Sequence, residues 1–242
     1  MIETDSIYQE LQLDQTARKE VRVVIAGEIY GEDRLVSLHT YGGLFKSDTF
    51  GIGNALAREI DMVLYNPGSI PRAAQMIPYV RMTNGIRFSE WIQKGVFYLN
   101  TRNPDERLNI LTIHGFDGML KGDVIWTPRQ GLVFPMSHRA AALEIAGLLG
   151  VTLDNPEDIR DDFDWDESGT PIGYYVDYPA NGYTERNILE FIAGANGGNF
   201  TMTDAGTLRL IRPLGGIEEI RPSYLVDENG DRITLGDVRI LV

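Results

Sequence analysis

Three histidines, His39, His114 and His138, stand far apart in the 242-residue chain, and none lies in a His-x-x-His, His-x-x-x-His or His-Glu-x-x-His spacing. A zinc or metal-hydrolase site therefore has little support in the spacing. His114 follows the apolar Leu111-Thr112-Ile113 and precedes Gly115-Phe116-Asp117, which reads as a hydrogen-bonded histidine at a strand end rather than a catalytic base. His138 comes directly after Ser137 at the start of a helical pattern and is expected to be solvated or to touch a neighbour. The densest group of carboxylates runs from Asp154 to Glu167 and includes Asp161, Asp162, Asp164 and Asp166. The alternation Asp162-x-Asp164-x-Asp166 matches the start of a calcium loop, because a hard cation needs convergent oxygens. The sixth position is Glu167 rather than Gly, however, and the twelfth is Gly173 rather than Glu, so a solvated acidic loop is expected. A glycosidase needs two carboxylates facing each other across a cleft, which spacing does not show.

The remaining motifs point away from catalysis. There is no Gly-x-Ser-x-Gly elbow and no Gly-x-x-x-x-Gly-Lys-Ser/Thr loop, and Gly51-Ile52-Gly53-Asn54 lacks the third glycine and the strand-to-helix setting of a dinucleotide site. With no cysteine in the chain, disulfide frameworks, thiolate zinc sites and cysteine nucleophiles are excluded. Trp91, Phe97, Tyr98, Phe116 and Trp126 lie in or beside strand-like runs, where sheet packing accounts for them; the rival reading is a stacking platform for a sugar or nucleobase. No catalytic, cofactor-binding or metal-ligating residue is assigned, and no cofactor is expected.

The elements that would carry these residues begin with a polar stretch over residues 6–19, a short helix or a flexible arm. The runs 21–25 and 35–38, separated by Gly31-Glu32-Asp33, predict a hairpin. Strands follow over 60–65, 77–82, 95–99 and 110–113. Asn84-Gly85 is placed as a type I′ turn, and Asn66-Pro67-Gly68 and Asn103-Pro104-Asp105 as the neighbouring joins. Tight turns with no intervening helix imply a mostly antiparallel sheet that curls into a barrel or sandwich. After Lys121 the period changes. Ser137 is placed to cap a helix over 139–149, with Ala142, Ile145, Ala146 and Leu149 on one face and Gly150 as its stop. A second helix, 185–195, has Thr184 as cap, Ile188, Leu189, Ile192 and Ala195 on one face and Gly197-Gly198 at its end; a hairpin over 200–211 turns at Asp204-Ala205-Gly206. Residues 217–226 and 232–242 look like strands around Asn229-Gly230. The fold class expected is mainly β with an α+β insertion.

Charge narrows the partners. The chain carries 22 Lys plus Arg against 35 Asp plus Glu, a net charge of −13, which argues against a surface that neutralises many phosphates but not against a channel whose walls repel DNA. The N-terminus has neither the basic nor the apolar region of a secretory signal, and apolar runs break within a few residues, so no membrane insertion is expected.

Two parts of the chain resemble the phage and prophage minor tail proteins of Gram-positive hosts. The first comprises Ala57-Arg58-Glu59-Ile60-Asp61, Ile70-Pro71-Arg72-Ala73-Ala74, Ile77-Pro78-Tyr79-Val80-Arg81, the more specific Ser89-Glu90-Trp91-Ile92-Gln93-Lys94-Gly95-Val96-Phe97-Tyr98-Leu99, and Leu111 to Lys121. The second runs from Arg186 through Gly197-Gly198-Asn199-Phe200-Thr201-Met202-Thr203-Asp204 to Leu208-Arg209-Leu210. Together they span most of residues 45–212. The resemblance implies a tail-tip or baseplate hub, similar to the N-terminal module of tail-associated lysins and to the hub of contractile tails, in which three subunits each supply two barrel-like domains to a ring continuous with the tail tube.

On that model residues 1–120 form a first barrel-like domain with an N-terminal arm, 121–212 a peripheral α+β domain, and 213–242 strands that begin or complete a second barrel. The partners implied are two further copies in a homotrimer, distal tail and tube proteins, a tape measure protein, tip or receptor-binding proteins, and viral DNA passing the lumen without specific binding. The location implied is the virion tail, after synthesis in the host cytoplasm. A non-enzymatic hub is the expected function. The alternatives are the distal tail ring protein, told apart by sixfold rather than threefold symmetry, and a carbohydrate-binding or hydrolytic cell-wall module using residues 161–167 or exposed aromatics.

Overall fold

In the strand Glu59–Tyr65, Ile60, Met62 and Leu64 are fully buried while the alternating Glu59, Asp61 and Val63 are not, and this period of two sets one face of a sheet against a core. The computed structural model describes residues 4–43, 51–178 and 182–213, with the main chain of 234–235 and 238–239. The chain divides into two compact units, Met1–Ile211 and Arg212–Val242.

The first unit opens with helix α1 (Ser6–Gln12), capped by Asp5, whose carboxylate accepts the Tyr8 N–H at 2.7 Å. The strands that follow are β1 (Arg18–Ile25), β2 (Glu28–Tyr30), β3 (Leu35–Tyr41), β4 (Glu59–Tyr65), β5 (Gln75–Thr83), β6 (Ile92–Gln93), β7 (Phe97–Asp105) and β8 (Ile110–Asp117). They form one sheet in the order β2-β1-β5-β7-β8-β4-β3, with β6 paired to β5. Every pairing in it is antiparallel. The strand path is open, ending at β2 and β3. Its inner face buries Val23, Ile25, Ile60, Met62, Met76, Phe97 and Ile113 in one cluster.

Three local expectations are corrected. The first strand does not form a hairpin with residues 35–38. It turns at Ala26-Gly27, both at positive φ, into β2, whereas β3 pairs with β4 at the other end of the path. A two-residue turn with both φ positive matches strand twist, so the nearer segment takes the pairing and Gly31-Glu32-Asp33 leads on to the opposite edge. Asn84-Gly85 does make a hairpin, closed at Thr83 and Phe88, but of its two residues only Gly85 has positive φ. The Asn84 side chain instead accepts the N–H groups of Ile86 (3.2 Å) and Arg87 (2.9 Å), so no type I′ backbone is needed. Asn103-Pro104-Asp105 is not a join: it lies inside β7, with Pro104 opposite Leu111. β5 meets β7 only at Phe97 and Tyr98, so Pro104 lies where β7 has a free edge and an absent N–H is tolerated.

After a 3₁₀ turn (Gly118–Gly122) come β9 (Met136–Ser137), α2 (His138–Leu149), β10 (Asp164–Trp165), β11 (Pro171–Ile172), β12 (Tyr175–Val176), α3 (Glu185–Ala195), β13 (Asn199–Met202) and β14 (Leu208–Ile211). α2 has the expected cap, Ser137 accepting the Ala140 N–H, and the expected αL stop at Gly150, φ 74°. α3 starts with a reciprocal capping box between Thr184 and Asn187. Its buried face is Ile188, Leu189, Ile192 and Ala193. Ala195 is exposed rather than buried, because the helix ends there and the C-cap residue Asn196, 1% exposed, turns inward instead.

Both helices pack on the β13–β14 hairpin in a second cluster with Ile145, Leu189, Ile192, Phe200, Met202 and Leu208 at its centre. Ala55, between β3 and β4, belongs to the same cluster and bridges in parallel to Phe200. In the second unit, β15 (Thr234–Leu235) and β16 (Val238–Arg239) pair antiparallel with each other, where one continuous strand over 232–242 was expected. The strand expected over 217–226 and the Asn229-Gly230 turn lie outside the described residues.

Candidate functional site

Sheet register brings together residues that sequence kept apart. His39 on β3, Asp61 on β4 and His114 on β8 are successive cross-strand partners. His114 Nδ1 lies 2.7 Å from Asp61 Oδ1, its Nε2 lies 3.8 Å from Glu59 Oε2, and its ring meets Phe116 edge-on at 4.7 Å. His114 is hydrogen-bonded, as expected, but it sits within β8 on the outward face rather than at a strand end. Among the described residues no group of three histidine or carboxylate side chains could hold a metal ion.

A second polar cluster ties the sheet to the β13–β14 hairpin. Asp117, 3% exposed at the end of β8, accepts the main-chain N–H of Arg58 (2.9 Å) and of Met119 (3.0 Å) and caps the 3₁₀ turn. Burial pushes its carboxyl up to about 6, against the pull of those two donors and of the Arg58 guanidinium. Arg58 itself spans the junction, donating to Asp204 Oδ1 (2.8 Å) and to the Lys94 carbonyl (2.8 Å). Gln93 Nε2 donates to the Asp204 carbonyl at 2.6 Å, and Lys94 Nζ lies 3.4 Å from Asp204 Oδ2. Asn199 adds a fully buried amide, accepting the Asn54 N–H and donating to the Gly51 carbonyl. Sequence reasoning assigned none of these residues a role. The one local signal was Asp117 ahead of a turn, which has the pattern of an N-cap.

Two carboxylates of the acidic segment are engaged, Asp161 by the start of α2 and Asp166 by its own loop. Asp161 accepts from Ser137 Oγ and pairs with Arg139 at 3.0 Å. One oxygen of Asp166 accepts from Ser168 N, Ser168 Oγ and Thr170 N, and these bonds hold its carboxyl below the usual carboxylate range. Gly173, at φ +84°, passes so close to the Asp162 carbonyl that a Cβ would lie 2.0 Å from it, next to the short β10–β11 ladder. Of the two expectations for His138, solvation or a neighbour contact, the contact holds: the residue is buried, its ring packs edge-on against Tyr174, and Nδ1 lies 3.3 Å from Asn196 Nδ2. Burial lowers its pKa.

The aromatic residues considered for stacking are already engaged. Phe97 and Trp126 are core residues. The guanidinium groups of Arg22 and Arg81 lie over the Trp91 ring at 4.2 and 4.4 Å, and Lys121 Nζ lies over Tyr98 at 3.8 Å. The apolar surface lies elsewhere. Ile125 bridges to Thr184, Tyr183 packs edge-on against Phe191, and Ile125 and Phe191 are 63% and 59% exposed, beside exposed Val124. Among the described residues no helix is long and apolar enough to cross a membrane.

No protein-family model and no curated protein matches the chain. Among solved structures its fold is similar to that of the 43 kDa tail protein of prophage MuSo2 from Shewanella oneidensis, at 14% identity and a TM-score of 0.51, over 81% of this chain and 56% of that one. The tail protein from Neisseria meningitidis MC58 aligns at 14% identity and a TM-score of 0.49, over 79% of this chain and 50% of that one. The chain spans about half the length of each. At 14% identity the likeness to the MuSo2 protein is one of fold.

Proposed function

We propose that the chain is a non-enzymatic structural protein of a phage or phage-like tail, and that within the tail it is the tip hub, a homotrimeric ring joining the tube to tip or receptor-binding components. The observation that carries the reading is the shared fold with the MuSo2 tail protein over four-fifths of the chain. The exposed Val124, Ile125, Tyr183 and Phe191 surface supports assembly, since exposed apolar patches of this kind mark protein contacts. The engagement of Asp161 by Ser137 and Arg139, of Asp166 by its own turn, and of the Trp91 and Tyr98 rings by cations favours this reading over a carbohydrate-binding or hydrolytic module. Distal tail and tube proteins on one side, the tape measure protein, and tip proteins on the other are the partners of such a ring, with DNA passing through without specific contacts.

Light scattering on the purified chain tests it. A mass of about 81 kDa, three copies of 27.1 kDa, is the expected result; six copies would replace the hub by the distal ring protein. A protein that stays monomeric both alone and with the neighbouring tail proteins would overturn the assembly reading.

A further inference from the structure

The sheet is open at one seam, and both of its free edges line grooves there. β1 pairs with β5 along its whole length, but β2 covers only Val23–Ile25 on the other side. Pro78, opposite Val23, directs its carbonyl away from β1 to the Lys94 N–H at 2.8 Å. Val23 and Pro78 are therefore a non-hydrogen-bonded pair, and by the antiparallel alternation the N–H and C=O groups of Lys19 and Val21, like those of Val23, point away from β5. Among the described residues no main-chain group pairs with them. They border a groove of about 240 Å³ whose other wall is β3, with Leu35, Val36 and Leu38. β3 is itself paired on one side only, to β4.

A second, independent feature adjoins the same edge. Arg22 and Val21 line an adjoining groove of about 410 Å³ with Ile29, Trp91 and the carboxylates Glu20, Glu32 and Asp33. The Arg22 guanidinium lies 4.2 Å from the Trp91 ring centroid and 5.2 Å from that of Tyr79, and its Nε is buried without a hydrogen-bond partner. The neighbouring charges are matched: Arg81 and Arg18 pair with Glu20 at 2.7 and 3.1 Å, and Arg18 also pairs with Glu32 at 3.1 Å. Among the described residues Arg22 has no such carboxylate. A planar guanidinium held by aromatic rings, with its donors unspent, selects a carboxylate. Exposed Ile29 and Val36, 55% and 63%, supply apolar surface along the two grooves.

We propose that this seam is a docking site for an extended segment of another protein chain, added to the free edge of β1, with a carboxylate side chain beside Arg22. The main-chain groups of Lys19 and Val21 supply the ladder and Arg22 supplies the selectivity, the division of labour of strand addition at a sheet edge. The inference does not rest on the tail reading.

The test uses the full chain, labelled for NMR, with a blocked seven-residue strand peptide carrying a central glutamate among valine and threonine, and its glutamine counterpart. Amide exchange at Lys19 and Val21 is expected to be fast in the free protein and slowed on adding the glutamate peptide, with the glutamine peptide binding about tenfold more weakly. Arg22→Gln, checked for an unchanged circular dichroism spectrum, is expected to erase the difference between the two peptides, and Asp33→Asn to strengthen binding of the glutamate peptide. Lys19 and Val21 amides already protected in the free chain, or unaffected at millimolar peptide, would overturn the docking site. Equal binding of both peptides to the unaltered chain would overturn the carboxylate assignment.

Discussion

Asp117 and His138 are two buried titratable side chains whose protonation links to stability, and they act in opposite senses. Asp117 is an acid pushed from 3.8 up to about 6 by burial. The folded state holds its proton more tightly than the unfolded chain does, so its contribution is complete below about pH 4 and is lost as pH rises through 6, a difference of roughly 3 kcal/mol. His138 is a base whose pKa burial lowers from 6.5. The unfolded chain takes up that proton first, so its contribution is complete above 6.5 and is lost as pH falls towards the depressed value. Asp117→Asn keeps one acceptor oxygen and removes the titration. Its stability relative to the unaltered protein is therefore expected to improve between about pH 4 and pH 7 by up to roughly 3 kcal/mol, read from urea midpoints at each pH. A constant difference across that range would show that the Asp117 carboxyl is not perturbed. Position 115 makes a steric counterpart, since a Cβ there would lie 2.4 Å from Met76 Cε and 2.6 Å from the Tyr98 carbonyl. Gly115→Ala is expected to cost about 1–3 kcal/mol by overpacking, measured by the same denaturation.

The helices and the β13–β14 hairpin are held by unlike devices, and they should fail differently. α3 has a local one, the Thr184–Asn187 box. Thr184→Ala is expected to lower stability by about 1 kcal/mol and to leave the packing of Ile188, Leu189 and Ile192 intact, as a thermal melt with unchanged cooperativity would show. The hairpin has a distant one, Arg58, which reaches Asp204 across 146 residues of chain and also donates to the Lys94 carbonyl. Arg58→Ala removes the charge-assisted bonds and leaves Asp204 with the weaker Lys94 contact at 3.4 Å. A loss of about 2 kcal/mol is expected, with amide exchange accelerating in β13 and β14 before β4. Uniform acceleration everywhere would mean that Arg58 supports the whole unit rather than this junction. Element boundaries were legible where their causes are local: caps at Ser137 and Thr184, a glycine stop at Gly150, alternation in β4. They were not legible at Pro104, whose place in β7 depends on which side of that strand is left unpaired.

For the whole molecule, the assembly proposed above would rest on surface that the fold itself does not need. Phe191 and Ile125 are more than half exposed, so a charge there adds no buried-ion cost to the monomer but strongly disfavours a covered apolar contact. Phe191→Glu is expected to leave the melting temperature of the isolated chain within a few degrees, by surface-substitution magnitudes, and to reduce the trimer fraction in light scattering. Unchanged assembly would move the interface to another face. The net charge of −13 belongs at this scale as well. In the proposed ring, a lumen that carried part of it would repel DNA phosphates within a Debye length of roughly 8 Å. A trimer structure with its carboxylates confined to the outer surface would remove that role.

The amino-acid sequence by itself determined the mainly β texture, the two capped helices with seven of the eight positions expected on their buried faces, the 200–211 hairpin, and, through the lack of cysteine, the exclusion of thiol chemistry. Each of these is written in spacings of two to four residues, where backbone geometry acts directly on neighbouring side chains. Tertiary structure alone decided that β3 pairs with β4 and not β1, that His39, Asp61 and His114 fall in one row, that Asp117 is buried at the junction Arg58 spans, and that the sheet stays open between β1 and β3. Those outcomes depend on which distant segments pack together after loop-closure entropy is overcome. No short stretch of sequence carries that information, because the packing energy that settles it is shared among residues far apart in the chain.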